Sequence, residues 1–588
     1  AHPQLSSCYR MFAWGDMLRS KVFMTPGVLS DEFWFWVLKQ FCFFHIQFSR
    51  FVGAPFRADN HHLMERGVAL YFMGVQFPEF AFAREMEAYS CRIIRQHFDH
   101  NILKDGAGSE HCCSYQYRCF IRYALPDSVG RLNGRDVLGP DRAKRMHRFL
   151  LFQGLVCAPD GKLPDVGDGG GTPISEVVAQ SGAMYESAEL KAIDAAIGTQ
   201  ELAINPAYAA GFKKIKPRLP RELAAVYPIG GHLALRDGWK KDANFLWLGL
   251  KNGSLYNVHT HWDTLSFAMS AFGRTLIGDP VGRTYGRMED LARGYYFSMD
   301  AHNGLIVDDD ILTSYKALAK WWGGQPPRID SAFTMFDPQN GFDYASFSHP
   351  GYRPLLLRRD VLFVHGRYFL ITDGLSMDFR GFNAVFGSEG DIRPHEMIQP
   401  LHFEEDVPVS VRAEDHALVT GLADGPNLLI VPEPFENLRV SVKRDDYIAA
   451  LDPAPGVCQI GEFRRETIGK CFFSTVYRPF RGGPAQVPAL TVRALTPRTG
   501  PYRQDEFHAI EIRDGEHTDY WVVQRDRQKP RAIVIEQPGV TIRTDAPAAL
   551  ISIAGKRITG FQCGGKQVEL NGKRLTLPKR AFTKQPLK

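Results

Sequence analysis

Residues 216–231 read KPRLPRELAAVYPIGG, and the periodicity of the chain changes across them. Three prolines and a closing glycine pair interrupt any regular element at this point. Upstream, MERGVALYFMGVQF (64–77) and FAREMEAYSCRIIRQHF (82–98) repeat apolar residues at steps of three and four, the spacing of one helix face. TPG (25–27), FPEF (77–80) and KDGAGSE (104–110) break the pattern, so residues 1–220 are expected to be a domain of paired helices. Downstream the runs shorten and become β-rich: NFLWLGL (244–250), SFAMSAF (266–272), DVLFVHGRYFLITDG (360–374), NLLIVP (427–432), DYWVVQRD (519–526) and AALISIAG (548–555). Residues 221–480 are therefore expected to stack as antiparallel sheets, with 481–588 a further sheet layer or a small β domain. The class is α+β and multidomain, as 588 residues exceed what one core normally serves.

Composition narrows the function classes. The chain is 44% hydrophobic and 23% charged, the balance of an ordinary globular protein. A net charge of +5 without a dense Lys/Arg stripe or zinc-finger spacing argues against nucleic acid as a partner. No apolar run reaches membrane-span length; FWFWVLKQFCFFHIQF (33–48) is broken by Lys39, Gln40, His45 and Gln47 and reads as a buried helix. Ten cysteines do not make a disulfide scaffold at this length, and Cys112–Cys113 lacks zinc-type spacing. The start AHPQ, without Met, reads as an exported and processed protein or a piece of a longer one.

Four polar clusters stand out. In YNVHTHWDTLSF (256–267), His259, His261 and Asp263 share one face if the segment is extended, which suits a metal site, an acid/base site or polar decoration of a strand. In ADNHHLMERG (58–67), Asp59 or Asn60 suits a helix N-cap, while Asn60 and His61 also suit an anion facing a cleft. KDGAGSEHCCSYQY (104–117) brings Glu110, Tyr115 and Tyr117 together behind a glycine loop. LPDVGDGGGTP (163–173) lacks the GK[ST] ending of a phosphate loop and reads as a loop over a cleft.

Taken together, NHHLMERGVALYFMGVQFPEF (60–80), DGAGSEHCCSYQY (105–117), LPDVGDG (163–169), HTHWDTLSFAMSAFGRTLIGDPVGRTYG (259–286) and AHNGLIVDD (301–309) resemble the heparinase II/III-like polysaccharide lyases. The resemblance implies an N-terminal incomplete (α/α) toroid, a C-terminal antiparallel β-sandwich and an active cleft between them. It also implies a substrate that is an acidic, uronate-containing polysaccharide, and a periplasmic or secreted location. Two departures are visible. Only 59 residues precede Asn60, so the toroid is short or upstream chain is missing, and Gln116 stands where the family often has His.

Such enzymes cleave by β-elimination. Donors aimed at the uronate carboxylate stabilise the enolate-like transition state, a role the resemblance gives to Asn60 with His61. A base removes the C5 proton and an acid protonates the leaving O4. The resemblance assigns these to His259 and Tyr115, with Tyr115 serving as both for the other stereochemistry; a phenol near pKa 10 is a natural proton donor. His261 and Asp279 resemble two ligands of a structural zinc, with His349 expected as the third ligand and His302 as the weaker alternative. Asp263 is expected to orient a histidine or cap the turn. Arg118, Trp262, Arg283 and Tyr285, and also Arg287, lie in the right segments to bind sugar. His97, His100 and His365 read as surface or core residues. A glycoside hydrolase would instead need a carboxylate pair from among Glu65, Glu110, Asp168 and Asp263, and a non-catalytic glycan-binding protein would need no proton donor–acceptor set.

Overall fold

The computed structural model describes all residues except 1–2, 52–60, 111, 168, 170–171, 175–180, 199–205, 251–260, 262, 280–294, 296–297, 309–330, 338–340, 350–354, 378–393, 446–458, 469–470, 496–505, 528, 581–583 and 586–588. At some element ends, His61 and His349 among them, it describes the backbone only. The chain divides into two compact units, one of residues 1–154 and 173–219, the other of 155–172 and 220–588. The helical region drawn as 1–220 is thus corrected at one place: 155–172 belongs with the sheets. The cause is visible at Arg236, a buried strand residue whose guanidinium donates to the carbonyls of Leu155 and Cys157 at 2.6 and 2.9 Å.

The first unit contains helices α1 (Pro3–Leu18), α2 (Asp31–Phe51), α3 (His61–Gln76), α4 (Ala83–Asn101), α5 (Cys113–Leu132) and α6 (Pro140–Val156, whose last two residues fall in the second unit), followed by Ala188–Ile197 and Pro206–Lys214. Residues 64–71 of α3 are buried on every side, as befits a helix surrounded by others. Gly67 lets α4 approach closely, since a Cβ there would stand 2.9 Å from Ile93 Cγ2. The aromatic run 33–48 is helical but not buried all round. Val37, Phe41 and Phe44, at steps of four and three, join the core with Leu70, Met73 and Phe77. Phe35, Trp36 and Phe43 point outward at 66%, 49% and 53% exposure. A 3.6-residue period cannot place every residue of so continuous a run on one stripe.

The second unit is a stack of antiparallel sheets around a nine-stranded sheet. That sheet buries both faces. Val361, Phe363, Phe369, Ile371, Leu428 and Ile430 face one core, and Leu362, Val364, Tyr368, Leu370, Leu429 and Val431 the other. Each such side chain contributes roughly 1.5–3 kcal/mol on burial, and double burial explains why these strands read as continuous apolar runs rather than alternating ones. The first core is shared with a five-stranded sheet (224–277) and a four-stranded sheet made of Arg439–Arg444, Gln459–Ile468, Pro394–His402 and Ile306–Val307. The second is shared with a six-stranded sheet that includes Phe507–Asp514, His517–Gln524 and Ala548–Ala554. Residues 481–588 fall within the same compact unit, sharing the second core and adding one of their own around Ile535, Ile542 and Val568.

Candidate functional site

In the helical unit, Tyr115 lies in the first turn of α5, 6% exposed, with the Arg118 guanidinium 5.1 Å from its ring centroid. The loop before α5 is fastened by Gln116. Its side-chain oxygen accepts from the Gly108 N–H at 3.0 Å, and its amide donates to the Glu110 carbonyl at 2.7 Å. An amide can donate and accept at once, which gives a physical reason for Gln116 at this position. Asn101 ties Ser109 to the same loop and donates to the Tyr123 hydroxyl, which lies 2.6 Å from His97 Nδ1. Glu65 is engaged structurally: Arg122 donates to it at 2.9 Å, with the carboxylate 3% exposed. Glu110 is fully buried.

In the sheet unit, a second cluster forms where three loops meet. His302 Nδ1 lies 2.8 Å from Asp279 Oδ2, and the His261 and His302 rings are 5.5 Å apart. All three are buried. Asn303 organises the surroundings. Its amide donates to the carbonyls of Phe267 (2.8 Å) and Gly278 (2.7 Å), and its oxygen accepts from the His402 backbone N–H (2.7 Å). That oxygen also accepts from His402 Nδ1 at 3.1 Å, which fixes the Nδ1–H tautomer. Burial, with His302 and Lys443 nearby, pushes His402 down to about 3, so its ring is neutral. Gly278 leaves room for the Glu404 carboxylate, which a Cβ there would meet at 2.0 Å and displace. On the other side Asp165, from the 163–169 loop, is pushed well above the usual carboxylate range by burial, then by Glu404 and Asp279.

Beneath the cluster, Arg359 is fully buried and pairs bidentately with Asp373, its direct cross-strand neighbour, at 2.7 and 2.9 Å. Its remaining nitrogen donates to the carbonyls of Leu265 and Asn303. Leu265 has φ +62°, a left-handed conformation uncommon outside glycine, and its side chain is in the core. Such a conformation costs about 1 kcal/mol and persists where its surroundings over-determine it. The Asp263 carbonyl closes the same turn by accepting from the Ser266 N–H.

Of the residues singled out in the sequence, Asn60, His259, Trp262, Arg283, Tyr285, Arg287 and Asp168 lie outside the described residues, as do the side chains of His61 and His349. Tyr115 and Arg118 come together, and so do His261, Asp279 and His302. His302 is an imidazole beside Asp279, while the side chain of His349 lies outside the described residues. His349 ends a strand, paired with Leu357. His97 is a core residue and His365 an ion-pair partner of Asp343. Asn303, His402, Asp165 and Arg359 were not signalled by spacing; the AHNG motif, of which Asn303 is the third residue, was its local sign. Two imidazoles and a carboxylate are an ordinary zinc set, and Asp279 Oδ1 is buried with no hydrogen-bond partner among the described residues. Among the described residues no three His, Cys, Asp or Glu side chains are disposed to hold a metal ion. In this trio His302 and Asp279 are held against each other by a hydrogen bond.

Two family descriptions match the chain: the heparinase II/III N-terminus over residues 11–188 and the heparinase II/III-like C-terminal region over residues 223–470. A heparin-sulfate lyase of Pedobacter heparinus is 23% identical over 374 residues, covering 63% of this chain and 50% of that protein. One of Bacteroides stercoris is 20% identical over 379 residues with the same coverage. The chain thus spans about half the length of these curated relatives. Among solved structures, heparinase III aligns with a TM-score of 0.70 at 16% identity, over 89% of this chain and 75% of that one. A heparan sulfate lyase mutant from Pedobacter heparinus aligns with a TM-score of 0.65 at 17% identity, with the same coverage. With both halves matched in order and the fold shared, the chain belongs to the heparinase II/III-like family, an α/α toroid followed by an antiparallel β-sandwich.

Proposed function

We propose that the chain is a polysaccharide lyase that cleaves an acidic, uronate-containing polysaccharide by β-elimination and leaves an unsaturated uronate end. The observation that carries this reading is the match of both halves to the heparinase II/III family, with relatives named heparin-sulfate lyases. In this reading Tyr115, on a helix start braced by Gln116, donates its phenolic proton to the leaving O4. His259 removes the C5 proton, and Asn60 with His61 hydrogen-bonds the uronate carboxylate. Arg118, beside the Tyr115 ring, supplies a cation for the anionic chain. Zinc would be held by His261, Asp279 and His302 only once the His302–Asp279 hydrogen bond opened, and its chemistry there would be to cross-link segments rather than to react. Location in the periplasm or outside the cell goes with a polymeric substrate.

The test is ultraviolet absorbance of the conjugated product during incubation with a panel of uronate polysaccharides, for wild type and Tyr115→Phe. Absorbance that rises in wild type and falls by about 10²–10⁴-fold in the variant is the expected result. New reducing ends without unsaturation would replace the reading with hydrolysis.

A further inference from the structure

The outward face of the four-stranded sheet carries a cavity of about 310 Å³. Along these strands one set of alternate residues, Met397, Leu401 and Phe463, enters the core, so the other set faces away from it. Cross-strand pairs define the floor: Ile306 opposite Ile398, Pro400 opposite Glu462, and Lys443 opposite Ile460. The wall is Tyr295, whose hydroxyl donates to Asp445 at 2.7 Å and lies 3.4 Å from His402 Nε2. His402 in turn bonds Asn303, the sequence neighbour of His302, so one chain of hydrogen bonds runs from the cavity wall towards the His302 cluster.

Its chemistry selects among ligands. Three cationic side chains, Lys443, Arg444 and Arg464, line it together with three carboxylates, Asp300, Asp445 and Glu462. Glu462 accepts from Lys443 at 2.6 Å and from Arg464 at 3.0 Å. A uronate entering here would meet as many carboxylates as cations, and a free amine the reverse. Hydroxyl groups, which donate and accept, suit both signs. Isoleucine and proline underneath suit the C–H face of a sugar ring, and the volume is at the lower end for a ligand site.

We propose that this cavity is a subsite for one uncharged pyranose ring of the glycan, a neighbour of the uronate that reacts elsewhere. The glycan context rests on the lyase reading; ring recognition by the cavity does not. The experiment is saturation-transfer NMR on the full chain with methyl glucopyranoside, methyl glucuronide and N-acetylglucosamine, repeated for Arg444→Ala and Glu462→Gln. The two neutral sugars are expected to bind about tenfold better than the glucuronide in wild type, as like charges juxtaposed are unfavourable. Glu462→Gln removes one carboxylate and should shift the preference toward the glucuronide, while Arg444→Ala, at an exposed residue that does not threaten folding, should shift it away. Glucuronide binding as well as the neutral sugars in wild type, no detectable binding of either neutral sugar, or preferences unmoved in both variants, would overturn the subsite. Neutral-sugar binding without lyase activity would retain the subsite and reject the lyase reading; lyase activity without it would do the opposite.

Discussion

His302 Nδ1 and Asp279 Oδ2 lie 2.8 Å apart, 23 residues distant in sequence, and both side chains are buried. The pairing makes His302 a candidate partner of Asp279 and His261, alongside His349, whose side chain lies outside the described residues. Supplied with zinc and then dialysed, His302→Ala is expected to retain metal on the order of tenfold less well than wild type, and His349→Ala to match wild type. Metal analysis of the purified variants reads this directly, and loss confined to His349→Ala would reverse the assignment.

Gln116 holds the loop in front of Tyr115 through two buried hydrogen bonds. Gln116→Ala leaves the Gly108 N–H and the Glu110 carbonyl without their partner, at a cost of about 2–3 kcal/mol. Gln116→Glu keeps the acceptor and loses the donor, so it should fall between the two. Urea denaturation of the three proteins measures the order.

Asn303 joins the segments around Phe267, Gly278 and His402 through one amide. Asn303→Ala should destabilise the sheet unit by about 3 kcal/mol or more. Asn303→Asp, which aims a carboxylate at two carbonyls, should be no better than alanine. Stability of the aspartate variant equal to wild type would refute this account.

Glu462 has a direction in pH. Burial acts to raise its carboxyl, but hydrogen bonds from Lys443 and Arg464 outweigh it and hold the group below the ordinary value of 4.5. A depressed carboxylate adds stability above its unfolded pKa and loses it as pH falls through its folded pKa. Wild type should therefore lose stability relative to Glu462→Gln as pH is lowered from neutral to below 4.5, with the two curves converging in acid. Thermal melts across that range give the comparison.

Much of the architecture was legible from periodicity. The change at KPRLPRELAAVYPIGG coincides with the unit boundary at Leu219–Pro220, and the Leu355–Val364 and Tyr368–Met377 hairpin falls on the apolar run flanking HGR. Burial on α2 was legible only in part, since Phe35 and Phe41 are the same residue type and only their helical phase separates them. The attachment of 155–172 to the sheets depends on Arg236, some eighty residues away, and no local pattern encodes it. The same holds within the site. Tyr115 could be named from a short motif, whereas the meeting of His302 with Asp279 and His261 depends on how separate segments converge. Spacing along the chain does not report such convergence.

The Arg359–Asp373 pair belongs to the rigid interior of the nine-stranded sheet, yet its free nitrogen grips the backbone beside His302 and the turn after Asp263. The backbone at Leu265 and at Asn303 is thus anchored to the central sheet of the unit. On heating, their hydrogen-exchange protection should vanish together with that of the central strands, as one cooperative event, rather than fade earlier as surface loops ordinarily do.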